Sequence, residues 1–210
     1  QLSLPEQLVI DENESSENTE LGGGDDPSMH EGSEIVPTEL IEFDNNFYPA
    51  QILLNNIYQH EGNLDEAERI LHKLIDQSKL NNNKRALAAG YLSNANIIRL
   101  KADISSAINF TTKALTIYKK LNNKEFIIHC YSALSFYFYM VGKYPESMDY
   151  TEKSISMLKQ LGNKEGIGFQ YDRMGLIYAK SGHYDNALKY FNLALDHIYN
   201  NTESDINWKN

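Results

Sequence analysis

Apolar and small residues return along this chain at two nested intervals. Within short stretches they step by three and four. Tyr131, Leu134, Ser135 and Phe138 mark one helix face, and Ser147, Thr151, Ser154, Ile155 and Leu158 mark a second. Over the longer distance the pattern steps by forty residues, from Gly62 to Ala102, Gly142 and Gly182. Ala67, Ala107, Ser147 and Ala187 form a small column, and Ile75, Leu115, Ile155 and Leu195 a branched aliphatic one. Gln51, Tyr91, Tyr131 and Tyr171 form a mostly aromatic column. A fixed period of this size means that one two-helix unit is repeated four times. The pattern predicts helix pairs at 48–61 with 64–79, 84–101 with 104–120, 124–141 with 144–160, and 164–181 with 184–199.

Local signals agree with those boundaries. Glycine at 62, 142 and 182 supplies the left-handed conformation that ends a helix cheaply. Asn63 with Glu66, and Asp103, suit helix starts. Pro145 stands in a first turn, where a missing amide proton costs little. Small residues are needed where two antiparallel helices approach closely, so Ala95, Ser135 and Gly175 are expected to face the small column. Asn55 in the first unit departs from this rule.

These columns resemble the tetratricopeptide repeat over residues 48–199, most closely from Phe169 to Leu195. The six-residue excess over the usual period of about 34 and the Leu161-Gly-Asn-Lys-Glu-Gly166 junction resemble the longer variety. That variety occurs in Leu-Gly-Asn-type adaptors, kinesin light chains, Rap-type regulators and bacterial repeat sensors. The resemblance implies an all-α, right-handed superhelix, an α-solenoid of four tandem helix-turn-helix repeats. It also implies a protein-interaction scaffold that takes an extended peptide or protein segment in a concave groove lined by the first helices. The alternative is a sensor or regulatory module of a larger, bacterial signalling protein, controlled by a peptide or by the chain's own acidic arm. A third reading is a structural oligomerisation module.

The register places Asn56, Gln59, Leu92, Asn96, Arg99, His129, Ser132, Phe136, Tyr139, Asp172, Arg173 and Leu176 on or near the groove. Asn56 and Asn96, one period apart, suit a clamp on a peptide backbone, because an amide both donates and accepts. Arg99 and Arg173 suit carboxylates, and Phe136 with Tyr139 suits an apolar side chain. The clamp by which some co-chaperones of this family hold a C-terminal carboxylate is not expected. Ile52, Leu92, Ala133 and Phe169 stand where it needs polar or basic groups.

Charge divides the chain. Residues 1–46 hold thirteen Asp or Glu and no Lys or Arg, and the remainder holds sixteen acids and nineteen bases. The first part is expected to be a disordered or extended acidic arm, the second (47–199) the repeat domain, and 200–210 a polar tail. Within the arm, Ile35 to Phe43 is apolar enough for a short helix begun at Thr38. It is read as a cap on the first repeat, as an intramolecular ligand for the groove, or as a plain linker. The absence of an initial methionine suggests a processed or cut start. Trp208 stands where a fifth repeat would begin, so either a larger protein, a partner or a second copy is expected to cover the end of the last helix.

Chemistry is sparse. A body without a basic stripe argues against nucleic acid, and no apolar run is long enough to span a membrane. The histidines show no metal-helix spacing, so neither a metal nor another cofactor is expected. Cys130, the single cysteine, reads as a core residue. Gly166-Ile-Gly168 lacks the third glycine of a dinucleotide loop, where Tyr171 stands instead. No enzyme activity is expected. The compartment is expected to be the cytoplasm, with the periplasm or export after processing as the alternative.

Overall fold

The computed structural model describes residues 47–205. The expectations for the arm (1–46), including Ile35 to Phe43, and for Trp208 lie outside the described residues. Eight helices follow in order: α1 (Tyr48–His60), α2 (Leu64–Leu80), α3 (Lys84–Leu100), α4 (Ile104–Lys120), α5 (Lys124–Met140), α6 (Tyr144–Leu161), α7 (Lys164–Lys180) and α8 (Tyr184–Asp205). There is no strand among the described residues. The expected helix pairs are therefore present, with one difference of more than a residue. α8 was expected to stop at 199, where its apolar positions run out, but it continues to Asp205. Neither glycine nor proline stands between 199 and 205 to break it, so an established helix can continue through this stretch.

Short polar side chains set the helix starts. The side-chain oxygens of Asn63, Asn83, Asp103, Asn123 and Asn163 accept from the amides of Glu66, Ala86, Ser106, Phe126 and Gly166. Each satisfies one of the orphan amides of a first turn. α1 and α6 lack such a cap and carry Pro49 and Pro145 in the first turn. The turns also follow a rule. Gly62, Ala102, Gly142 and Gly182 are left-handed within the repeats, and Asn82, Asn122 and Gly162 are left-handed between them. Ala102, at φ 66°, holds this conformation against a steric cost of about 1 kcal/mol.

Each pair packs antiparallel through the small column, where Ala67, Ala107, Ser147 and Ala187 are buried. The facing position is filled differently in every repeat. The Asn55 amide donates to the Ala67 carbonyl at 2.9 Å. Ala95 meets Ala107 in one apolar cluster. Ser147 donates to the Ser135 carbonyl at 2.7 Å, and Thr151 donates to the Ser147 carbonyl at 2.9 Å. That leaves the Ser135 hydroxyl to donate to Thr151 Oγ1 at 2.6 Å. Gly175 lies under Phe191, whose Cδ1 would be 2.6 Å from any Cβ placed there.

Between repeats, the second helix of one unit rests on the first helix of the next. Ala114, Leu115 and Tyr118 of α4 join Ile127, Cys130 and Leu134 of α5 in one buried cluster. Gly90 of α3 admits Ile75, and Gly166 of α7 admits Leu158. α1 also touches α3, and α5 touches α7, whereas no pair of second helices makes a comparable contact. The first helices therefore lie on the inside of the curve, and the second helices splay on the outside.

Burial pushes the Cys130 thiol up to about 12. It also raises the Tyr118 and Tyr137 phenols, with Arg99 opposing the rise at Tyr137. Their neutral forms are the ones that pack. Their contribution is complete below the ordinary values, about 8.5 for a thiol and 10 for a phenol, and is lost as pH climbs through these toward the folded values. Melting followed by circular dichroism is expected to hold level to about pH 8.5 and to fall steadily above it.

Candidate functional site on the inner face

The inner face is built from the exposed sides of α1, α3, α5 and α7. A chain of polar and cation–π contacts crosses all four. The Gln59 amide donates to Asn55 Oδ1, and the Asn96 amide donates to Gln59 Oε1. Arg99 donates twice to Asn96 Oδ1, at 3.1 and 2.9 Å. The Arg99 guanidinium carbon lies 5.9 Å from the Phe136 ring centre, and that of Arg173 lies 4.7 Å from the same ring. Five of the expected groove residues, Gln59, Asn96, Arg99, Phe136 and Arg173, are thus joined in one chain of contacts.

Arg173 is the least satisfied of them. It is half-buried, and desolvation pulls its guanidinium below the ordinary range, with Asp172 and Tyr139 opposing. Among the described residues the ion pairs join Arg69 to Glu66, Lys79 to Asp76, Lys101 to Asp65 and Glu68, and Lys153 to Asp149. None reaches Arg99 or Arg173. Two guanidiniums on the faces of one ring, with no carboxylate at bonding distance among the described residues, leave an electropositive spot in the middle of the inner face.

The other expected groove residues are placed less uniformly. Asn56 and Asp172 are exposed, and Leu176 is half-buried. The half-buried Tyr139 has its ring 6.1 Å from that of Tyr144. Asn96 makes its contacts within the chain, to Gln59 and Arg99, so it does not form a free amide pair with Asn56. Ser132 is taken up at a junction, accepting from the Gln170 amide at 3.0 Å and lying 3.2 Å from Ser154 Oγ. Leu92 packs against the central apolar cluster. His129 is exposed, 5.8 Å from Phe126, which stacks on Tyr118 of α4.

Sequence reasoning passed over several contributors. Asn55 is fully buried and anchors the polar chain, and its departure from the small column was the signal. Leu53 and Phe169 are exposed apolar residues of α1 and α7, at 63% and 58%. Two clefts open beside α6. One of about 510 Å³ is lined by Tyr144, Met148, Glu152, Tyr178 and His183. The other, of about 420 Å³, is lined by Glu152, Lys159, Lys189 and Tyr190. Neither contains an expected groove residue.

No grouping of three or more His, Cys, Asp or Glu suited to a metal occurs among the described residues. Cys130 is fully buried, and its raised pKa keeps the thiol protonated at neutral pH. No described helix is long and apolar enough to cross a membrane.

Comparison with solved structures identifies the architecture. A signal transduction ATPase with numerous domains (STAND) from Pyrococcus horikoshii, which has a tetratricopeptide repeat sensor, superposes with a TM-score of 0.70 at 20% identity. The superposition covers 77% of this chain and 26% of that one. BtubC from P. vanneervenii gives a TM-score of 0.68 at 15% identity, over 78% of this chain and 66% of BtubC. A putative kinesin light chain of Podospora anserina with nearly identical TPR-like repeats gives 0.62 at 12% identity, over 79% and 85% of the two chains. The fold is the tetratricopeptide-repeat solenoid, an all-α superhelix. No protein-family model and no curated protein matches the sequence.

Proposed function

We propose that residues 47–205 are a protein-interaction module whose inner face holds an extended peptide or protein segment. The segment presents a carboxylate to Arg99 and Arg173, and an apolar side chain beside Phe136 and Tyr139. The observation that carries this reading is the pair of guanidiniums seated on Phe136 with no carboxylate partner among the described residues. A buried or half-buried cation is costly unless a counter-charge completes it, and an incoming carboxylate would do so with bidentate geometry. The exposed apolar side chains of Leu53 and Phe169 extend the surface toward both ends. A regulatory reading has one specific support. The contacts from Asn55 to Arg173 link all four repeats, so a segment that engages Arg99 competes with its bond to Asn96 and alters the tie between neighbouring repeats.

Selection of random displayed peptides on the full chain tests the proposal. Enriched peptides are expected to pair Asp or Glu with an aliphatic or aromatic residue. Phe136→Ala and Arg173→Gln are each expected to weaken a selected peptide by about 10- to 100-fold, the range of an interface hot spot. Unchanged affinity in an Arg99→Gln/Arg173→Gln double variant would remove the site.

A further inference from the structure

The two end faces of the array are the separated halves of a junction that the molecule already builds three times. On the α8 side, Leu195 is 50% exposed, whereas its equivalents Ile75, Leu115 and Ile155 are 6–7% exposed beneath the next first helix. Leu188, two turns away along the same stripe, is 63% exposed. On the α1 side, Ile57 is 38% exposed, whereas Ile97, Tyr137 and Ile177 at the same position are exposed by 4% or less. Phe47 is 57% exposed, against 7% and 5% for Ile127 and Ile167, while Leu87 at the same position is half-buried. α8 offers the surface that normally receives a first helix, and α1 offers the surface that normally lies upon a second helix.

The partners at the internal junctions say what would meet what. Leu115 packs in one cluster with Cys130, and the α1 equivalent of Cys130 is the small Ala50, so Leu195 has a matching seat. Ile97 packs in one cluster with Leu71 and Leu74, whose α8 equivalents are Phe191 and Ala194, a seat for Ile57. Leu158 packs with Ile167, and the corresponding pair is Ile198 with Phe47. α1 contains no Asp, Glu, Lys or Arg, so Asp185, Lys189 and Asp196 of α8 meet no like charge from it.

We infer that copies of this chain associate head to tail, the α1 face of one copy docking on the α8 face of the next. The contact is heterologous, so it propagates and does not close a two-fold dimer. Sedimentation or light scattering on the full chain tests it. The mean mass is expected to rise with concentration above the 24.0 kDa of one chain. Ile57→Glu and Leu195→Glu, both at exposed positions, are each expected to hold the mass at one chain with unchanged helical circular dichroism. Mixing the two variants leaves one intact face on each, and is expected to give a one-to-one dimer that grows no further. A wild-type chain that stays single up to the millimolar range overturns the inference. So does an Ile57→Glu chain that still self-associates, which would mean that α8 faces pair with each other.

Discussion

Gly175→Ser is expected to destabilise the array, and Phe191→Thr in the same chain is expected to recover much of the loss. A Cβ at position 175 would lie 2.6 Å from two carbons of the Phe191 ring, too close for either to stay in place. Overpacking of this kind costs about 1–3 kcal/mol, or roughly 2–4 °C of melting temperature per kcal/mol in a chain of this size. Phe191→Thr alone removes a half-buried ring and leaves a space above Gly175, with a cost of about 3 kcal/mol or somewhat less. Together the two changes install the pair that the third repeat uses, where Ser135 donates to Thr151 at 2.6 Å. A double-mutant cycle by denaturant unfolding measures the coupling. Additive losses would show that the two positions are not matched in size across the repeats.

Asn94→Leu is expected to move stability the other way. Asn94 is 2% exposed, and its Oδ1 has no hydrogen-bond partner among the described residues. The same position in the other repeats is Leu54, Leu134 and Met174, which are all buried. An unsatisfied buried acceptor costs about 1–3 kcal/mol, and a leucine of similar length removes that cost while adding apolar burial. The melting temperature is expected to rise by several degrees, with no change in peptide binding, because Asn94 points into the packed side of α3 and not to the inner face. A fall in melting temperature would mean that the pocket is shaped for the amide.

The helix pairs, their caps and the close-approach column were legible because each depends on neighbours within one repeat or on a strict step of forty. Asn63, Asp103 and Pro145 act on their own first turns, and the Ala67 column needs only smallness. The inner-face chain was legible only in membership. Gln59 and Asn96 are 37 residues apart, one helical turn short of the repeat, so their bond does not appear as a column. The Asn56–Asn96 pairing looked natural by register, yet Asn96 turns to Gln59 and Arg99 within the chain. Ser132 faced the groove by spacing, but Gln170 on the next first helix draws it into the junction. The outer clefts were invisible because they arise from missing contacts. Lys101 ties α3 to Glu68 of α2 at the first junction, whereas the corresponding positions at the last junction are Ser181 and Met148.

The connections between helices are short, each hinging on one left-handed residue such as Gly62, Asn82 or Ala102. Their amides are already bonded back to the preceding helix, as Asn63 is to Tyr58 and Asn83 is to Ser78. Connections this taut hold no slack in which a helix pair could swing independently. Deformation must spread as a small change of pitch along the whole stack, so pulling on one end is felt at the other as elastic strain.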